Sequence, residues 1–420
     1  MTDRQTLLLV FGLVYLSECV LWMRRGGVLF RRGLGRWTAS TASGAIQNDR
    51  GDLHWSWPLP PFGSLYVALG LPFSLGPLGI LNSSAACFHP TGRPLTSPTF
   101  LQWNEIKTVE VNGCVLKLNN AVFWKADSIH SALRLGLLIR SLQKGDPSQL
   151  ESTLLNTLET LFNEELIRKR LATAQSALSS LRFTATLLFC HLFAVTPVTL
   201  VFFDWFPSLY FLVPPLLLLS AYLSRSAVLA HRQLYPEAHD DRFRLGFMSL
   251  LSPAAAIRAI DHVQRPLLED FSPVAVASVL LDKLSLETFA RPAWRDLRFP
   301  RLPECSILTP AAQETELWFR LTMTALTRKS LRQGGLDPDS WELPAIPTDP
   351  SHTLFCPRCE TQFTSKAKGC RECGDRPLLS LLSNPSRPQV GADSHPLPDP
   401  SSHQSEVTRE GVPIKKPNKP

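Results

Sequence analysis

The chain has no G-x-S-x-G, no phosphate-binding glycine loop, no dinucleotide-binding G-x-G-x-x-G and no H-E-x-x-H. The local signatures of an acyl hydrolase, a nucleotide-driven enzyme and a zinc protease are therefore all missing. Charge is sparse too. Asp, Glu, Lys and Arg make up 19% of 420 residues and leave a net charge of only +7, with no long basic stripe of the kind that tracks nucleic acid. Nor is there a paired disulfide framework. Of nine cysteines, four form one array and five (Cys19, Cys87, Cys114, Cys190 and Cys305) are scattered, which favours a compartment that keeps thiols reduced.

What the chain does have is strong segregation of apolar residues. Leu7 to Met23 carries one acid, Glu18, and is followed by Arg24, Arg25, Arg31 and Arg32. A cleaved signal peptide wants its positive charge before the apolar run, and here it comes after. Segment 7–23 therefore reads as an uncleaved transmembrane anchor with its N-terminus outside, in preference to a signal or a buried helix. Its 17 residues reach about 26 Å as a helix, slightly short of a bilayer core. Phe183 to Phe203 has no formal charge over 21 residues, and Ser208 to Ser224 follows after a four-residue link. The two runs, 183–203 and 208–224, predict an antiparallel transmembrane hairpin, kinked at Pro197 and at Pro214-Pro215. Trp205 and Tyr210 occupy positions usual for interfacial aromatics. Arg168, Lys169, Arg170 and Arg182 precede the hairpin and Arg225 and Arg232 follow it, while its turn holds only Asp204. By the charge bias of membrane proteins both flanks are cytoplasmic.

Between anchor and hairpin, residues 27–145 read as a β-rich cytoplasmic domain. Its first half, with Trp55 to Pro61 and Leu71 to Gly79, is too interrupted by Pro and Gly for helices. From Phe100 the pattern sharpens. Ile106 to Val111 alternates, Asn112-Gly113 is a type I′ turn signal, and Cys114 to Leu118 alternates again. Asn119-Asn120 separates a further strand, Ala121 to Trp124, and Asp127 or Ser128 can cap a helix through Leu142. Residues from about 79 to 143, with Phe100-Leu-Gln-Trp-Asn-Glu-Ile, the Asn-Gly hairpin and the helix from Ser128, resemble a bacterial pleckstrin-homology-like domain. The resemblance implies a small, partly open barrel used for binding or scaffolding. Lys107, Lys117 and Lys125 could meet lipid headgroups there, although solvated strand lysines are the plainer account.

Residues 149–181 carry leucines at helix-face spacing, a stalk leading into the second span. Residues 233–333 read as a cytoplasmic helical module. Ser252-Pro253 and Ser272-Pro273 open helices running to Leu268 and Ala290, and a third helix covers Ala311 to Gln333. A linker (334–351), a small metal-folded unit (352–382) and a Pro, Ser and Lys-rich tail (384–420) expected to be disordered complete the chain.

The most specific pattern is C-x2-C-x10-C-x2-C at Cys356, Cys359, Cys370 and Cys373. Two such pairs can surround one tetrahedral ion, and four thiolates leave no open position for a catalytic water. Pro357 and Gly374 stand where the two turns need a fixed and a permissive φ. Cys356-Pro-Arg-Cys359 and Cys370-Arg-Glu-Cys373-Gly374 resemble the knuckles of the rubredoxin-like and zinc-ribbon class. That implies structural Zn2+, either folding the unit alone or docking a partner. Arg358, Lys366, Lys368 and Arg371 are offset by Glu360, Glu372 and Asp375, so nucleic-acid binding has little support.

Two other groups invite chemistry. His191, midway along the second span beside Cys190, suggests proton or metal handling; a hydrogen bond across the hairpin explains it more simply. His231, His239, Asp240 and Asp241 look like a metal cluster, but Pro236 keeps the two histidines off a common helix face. The fold class expected is thus a multi-domain α+β membrane protein. It has an anchor helix, a β-rich domain with a C-terminal helix, a transmembrane hairpin, a helical module and a zinc ribbon. The expected role is a multi-pass inner-membrane scaffold of bacterial type, whose partners are the lipid bilayer and proteins at the cytoplasmic face, with no identifiable small-molecule substrate and no catalytic residues. The rivals are a membrane-bound enzyme with a dispersed site in 233–333, and a transport or sensing component using His191.

Overall fold

The computed structural model describes residues 3–21, 24–25, 27–33, 36–41, 53–54, 64–68, 71, 73–82, 99–126, 128–203, 205–236, 239–299, 308–342, 347–373 and 375–381. The expected disordered tail, Trp55 to Pro61, Asp127, Asp204, Gly374, Cys87 and Cys305 lie outside these residues, as do the side chains of Cys19 and Trp205.

Helix α1 (Asp3–Leu21) covers the expected anchor as far as Leu21, and Trp22 and Met23 lie outside the described residues. Short strands follow. β1 (Arg24–Arg25) pairs with β4 (Leu53–His54), while β2 (Gly27–Gly33) is flanked by β3 (Arg36–Thr41) and β5 (Ser64–Ala68) in an antiparallel sheet. Val28 and Phe30 of β2 and Leu65 and Val67 of β5 share one buried face. That face joins the main helical core, and the Phe30 ring meets Phe289 at 6.0 Å.

Two further antiparallel sheets form a second core. β6 (Ser74–Gly76), β7 (Gly79–Asn82) and β8 (Thr99–Gln102) make one; β9 (Val109–Asn112), β10 (Val115–Leu118) and β11 (Ala121–Lys125) make the other. Leu116 and Leu118 point inward, opposite Val111 and Val109, as the alternation predicts. The turns differ from expectation. Asn112 pairs with Val115, so Gly113-Cys114 forms the first loop, with positive φ only at Gly113 (58°). The loop with both central φ values positive is Asn119-Asn120 (52° and 64°), the type I′ pattern one hairpin later. Asn119 is pinned there, its side chain accepting from Lys107 N (2.7 Å) and donating to Glu105 O (2.8 Å). Helix α2 (Ile129–Lys144) closes this core through Ile139 and Leu142, with Ser128 as its cap.

Helix α3 (Leu150–Thr160) stops at Leu161, and α4 (Glu164–Cys190) restarts under an Asn163 cap, where the sequence pattern predicts one stalk. α4 continues through a π turn (His191–Val195) into α5 (Thr196–Phe202). The π turn has a cause. Pro197 lacks an N–H and its ring would strike the preceding turn; Thr196 N–H instead reaches back five residues to His191 O, and its hydroxyl donates to the same oxygen (2.8 Å). α6 (Trp205–Leu234) returns antiparallel, with Pro214 and Pro215 inside it. Among the described residues two helices, Glu164–Phe202 and Pro207–Leu234, are long and apolar enough to cross a membrane. The apolar stretch of α1, Gln5–Glu18, is shorter than that.

α7 (His239–Leu251) is a helix that no sequence signal announces. α8 (Pro253–Gln264) has the expected Ser252 cap, whose hydroxyl accepts from Ala255 N (3.0 Å). Beyond Ser272 the expected single helix is two. α9 (Pro273–Leu280) ends at Leu281, and α10 (Lys283–Arg298) begins under Asp282, which accepts from Ser285 N (2.9 Å). α11 (Pro310–Gln333) matches expectation within one residue. Helices α4, α6, α8, α9, α10 and α11 share the buried cluster that also holds Val28 and Phe30. α11 further lies against the second core through Trp318 and Phe319. The chain ends its described part in a small sheet of β12 (His352–Phe355) between β13 (Gln362–Thr364) and β14 (Leu379–Ser380).

Candidate metal centre

Strand β12 delivers Cys356 to the first of two tight turns. Glu360 N–H bonds Cys356 O (2.9 Å), and Cys356 N–H bonds Thr361 O (3.0 Å). The second turn follows β13, with Cys370 N–H on Arg376 O (2.9 Å) and Cys373 N–H on Cys370 O (3.1 Å). Positive φ falls at Glu360 (59°) and Asp375 (55°), one and two residues after the last cysteine of each turn. Gly369 is dictated by close approach, since a Cβ there would lie 2.7 Å from Asp375 O.

The turns bring all four expected ligands together. Their Sγ atoms lie within 4.8 Å of one another, and those of Cys359 and Cys370 are 3.6 Å apart. A tetrahedron with metal–sulfur bonds of about 2.3 Å has edges of about 3.8 Å, so the group can hold a metal ion. Cys356, Cys370 and Cys373 are buried. Burial pushes the Cys370 thiol up to about 11 and Cys373 further still, while at Cys359 hydrogen bonds from Thr361 and neighbouring thiols outweigh burial and lower it. Four crowded sulfurs cannot all ionise unless a cation sits among them. Among the described residues this is the one group of three or more His, Cys, Asp or Glu placed to share an ion.

The first turn is occupied by its own chain. Arg358 donates to Asp296 of α10 through Nε (2.9 Å) and Nη2 (2.8 Å). Glu360 accepts from Arg295 and, at 3.4 Å, from Arg291 of the same helix. Arg376, from the second turn, lies over the Phe299 ring at 5.6 Å. Sequence reasoning weighed these charges as a surface and missed that they face α10. The only hint was alternating sign on both partners.

His191 has an ordinary partner. Its Nε2–H donates to Leu212 O (3.1 Å) across the hairpin, three residues before the Pro214-Pro215 pair ends. Glu18 pairs with Arg258 of α8 (3.4 Å). His231 is buried against His130 and Tyr235, with ring centroids 5.5 and 5.1 Å away. The side chains of His239, Asp240 and Asp241 lie outside the described residues, so the cluster suggested by the sequence is represented by His231 alone.

A polar joint that the sequence did not reveal surrounds His231. His130 stacks on Tyr235 at 4.6 Å, and the Tyr235 hydroxyl donates to Val263 O (3.0 Å). Asp270 accepts from both Arg134 and Arg170 (2.8 Å to the latter), and Glu269 accepts from the Ser128 (2.6 Å) and Ser131 hydroxyls. Burial, then Arg170 nearby, pushes Arg134 down to about 10, and burial raises Tyr235 above the ordinary phenol range. These residues come from α2, α4, α6 and the segment after α8, and they lock the second core onto the helices.

No family model, no curated protein and no solved structure matches this chain.

Proposed function

We propose that this protein is a multi-pass membrane scaffold whose cytoplasmic part is one rigid assembly braced by a structural zinc ribbon. The observation that carries the reading is where apolar side chains are left outside. Leu9 and Leu13 of α1, Phe183 and Val198 of α4 and α5, and Leu217 and Leu218 of α6 are all exposed, a pattern that lipid satisfies and water does not. The three helices also pack as neighbours. Tyr15 of α1 meets Phe189 and Phe193 at 6.3 and 5.4 Å, and Ser180 Oγ lies 3.3 Å from Tyr222 Oη.

With α1, α4–α5 and α6 as spans, arginine and lysine placement sets the N-terminus outside and the remaining bulk in the cytoplasm of a bacterial-type inner membrane. Four thiolates in a reducing compartment suit zinc, held by Cys356, Cys359, Cys370 and Cys373, with no open coordination position. The ion pairs from Arg358 and Glu360 to α10 favour a bracing role for the ribbon over one that presents its first turn to a partner. Partner binding then falls to the remaining cytoplasmic surface.

The test is topological. A periplasm-dependent phosphatase fused after residue 420 should stay inactive, and one fused in the link at residue 204 should be active. The reverse pattern sinks the layout. Affinity capture from membranes should recover the same proteins with and without residues 352–382; partners lost with the ribbon would restore the docking role.

A further inference from the structure

Helix α7 lies outside the three proposed spans, yet it leaves large apolar side chains exposed. It runs antiparallel along the lower half of α6, where Ser224 Oγ donates to Gly246 O (3.0 Å). A Cβ on Gly246 would come within 3.2 Å of Val228, so the two helices touch closely. Leu245 and Ser249 face inward and are buried. The opposite face carries Phe243, Phe247 and Leu250, exposed by 81%, 56% and 63%. Spacings of four and three residues set them in one stripe. The two phenyl rings lie nearly parallel, at 9° with centroids 6.3 Å apart.

The Ser224 contact fixes the height of that stripe. Ser224 is the last residue of the apolar run 208–224. Because α7 runs the other way, Leu250 lies about 6 Å further along α6 toward the bilayer than Gly246, within the length of the apolar run 208–224. The stripe therefore lies level with the cytoplasmic end of that run. Arg225 and Arg232 on α6 and Arg244 on α7 are exposed.

We infer that α7 is seated in the cytoplasmic lipid–water boundary. Phe243, Phe247 and Leu250 enter the acyl region, and Arg244 and Arg225 reach the phosphates of anionic lipid. The stripe matches an interfacial helix, apolar on one side and flanked by arginine long enough to reach headgroups. The inference rests on the membrane reading proposed above.

The experiment places p-benzoylphenylalanine at Phe247, at Leu217 within the α6 span, or at the exposed Leu284 of α10. Each full-length protein is irradiated in nanodiscs of phosphatidylethanolamine and phosphatidylglycerol, and adducts are read by mass spectrometry. Positions 217 and 247 should give lipid adducts several-fold above position 284. In phosphatidylcholine discs the yield at 247 should fall and that at 217 should hold. Adducts at 217 with none at 247, or protein adducts at 247, overturn the seat of α7 and leave the spans standing. Equal yields at 247 in both discs overturn the part given to the arginines. Absence of lipid adducts at both positions overturns the membrane reading, and this inference with it.

Discussion

Arg258 of α8 lies 3.4 Å from a carboxylate oxygen of Glu18, the single acid of the apolar run 7–23, which is only 5% exposed. A carboxylate so placed needs its cation. The pair fastens the first helix to an element 240 residues later. It also explains why a charge is tolerated within an apolar run.

Arg258→Met should therefore destabilise the folded protein by about 3 kcal/mol, because it strands the partner charge. Glu18→Gln combined with Arg258→Met should regain most of that loss. Thermal unfolding of the four proteins in detergent measures the coupling. Strictly additive effects would show that the two side chains do not depend on each other.

Metal should be stoichiometric. Elemental analysis of the purified chain should give about one zinc, and Cys370→Ser should abolish it. Because the first turn is pinned to α10, zinc removal should also raise hydrogen exchange in Arg291–Arg298. Unchanged exchange there after chelation would disconnect ribbon and helix.

Gly79 faces backbone. A Cβ there would lie 2.2 Å from Leu101 O on the neighbouring strand, and no side-chain rotation relieves that contact. Gly79→Ala should cost about 2–3 kcal/mol and open the β7–β8 pairing. Gly12→Ala, with nothing within 4 Å, is the matched control and should be neutral. Equal unfolding temperatures for the two variants would refute the close approach.

Acid should loosen α10 at its first turn. Hydrogen bonds from Ser285 hold the exposed Asp282 carboxyl below its ordinary value. A lowered folded-state value means the stabilisation is complete above the unfolded value of about 3.8 and is lost as pH falls through the lower one. Hydrogen exchange at Lys283–Leu286 should thus accelerate below about pH 4. Asp282→Asn keeps the cap and removes the ionisation, so its exchange should lose that component. If wild type and variant respond alike to acid, the capping carboxylate is not the cause.

Local chemistry was readable from the residues alone. The two CxxC pairs, the Ser128 and Ser252 caps, the alternation through Leu116 and Leu118 and the bounds of α11 each depend on neighbours a few residues apart. What stayed hidden depends on distant partners. The breaks at Leu161 and Leu281 occur in strings that remain helical by pattern, and are set by tertiary packing; Ser272 N–H, for example, is taken by Leu161 O (2.9 Å). The joint around Asp270 and Tyr235 draws on four separate segments with no common motif. The docking of the ribbon on α10 was invisible because Arg358 and Glu360 read as an ordinary mixed-charge surface.

Ser74 of β6 donates its hydroxyl to Glu316 of α11, a partner 242 residues downstream. A ribosome adding 5–20 residues each second needs roughly 12–50 s to supply it. During that interval the nascent strand has no lid, although the chain between them already includes both long apolar helices. On the membrane reading proposed above, insertion precedes completion of the domain and leaves an unfinished sheet at the translocon mouth for whichever chaperone works there.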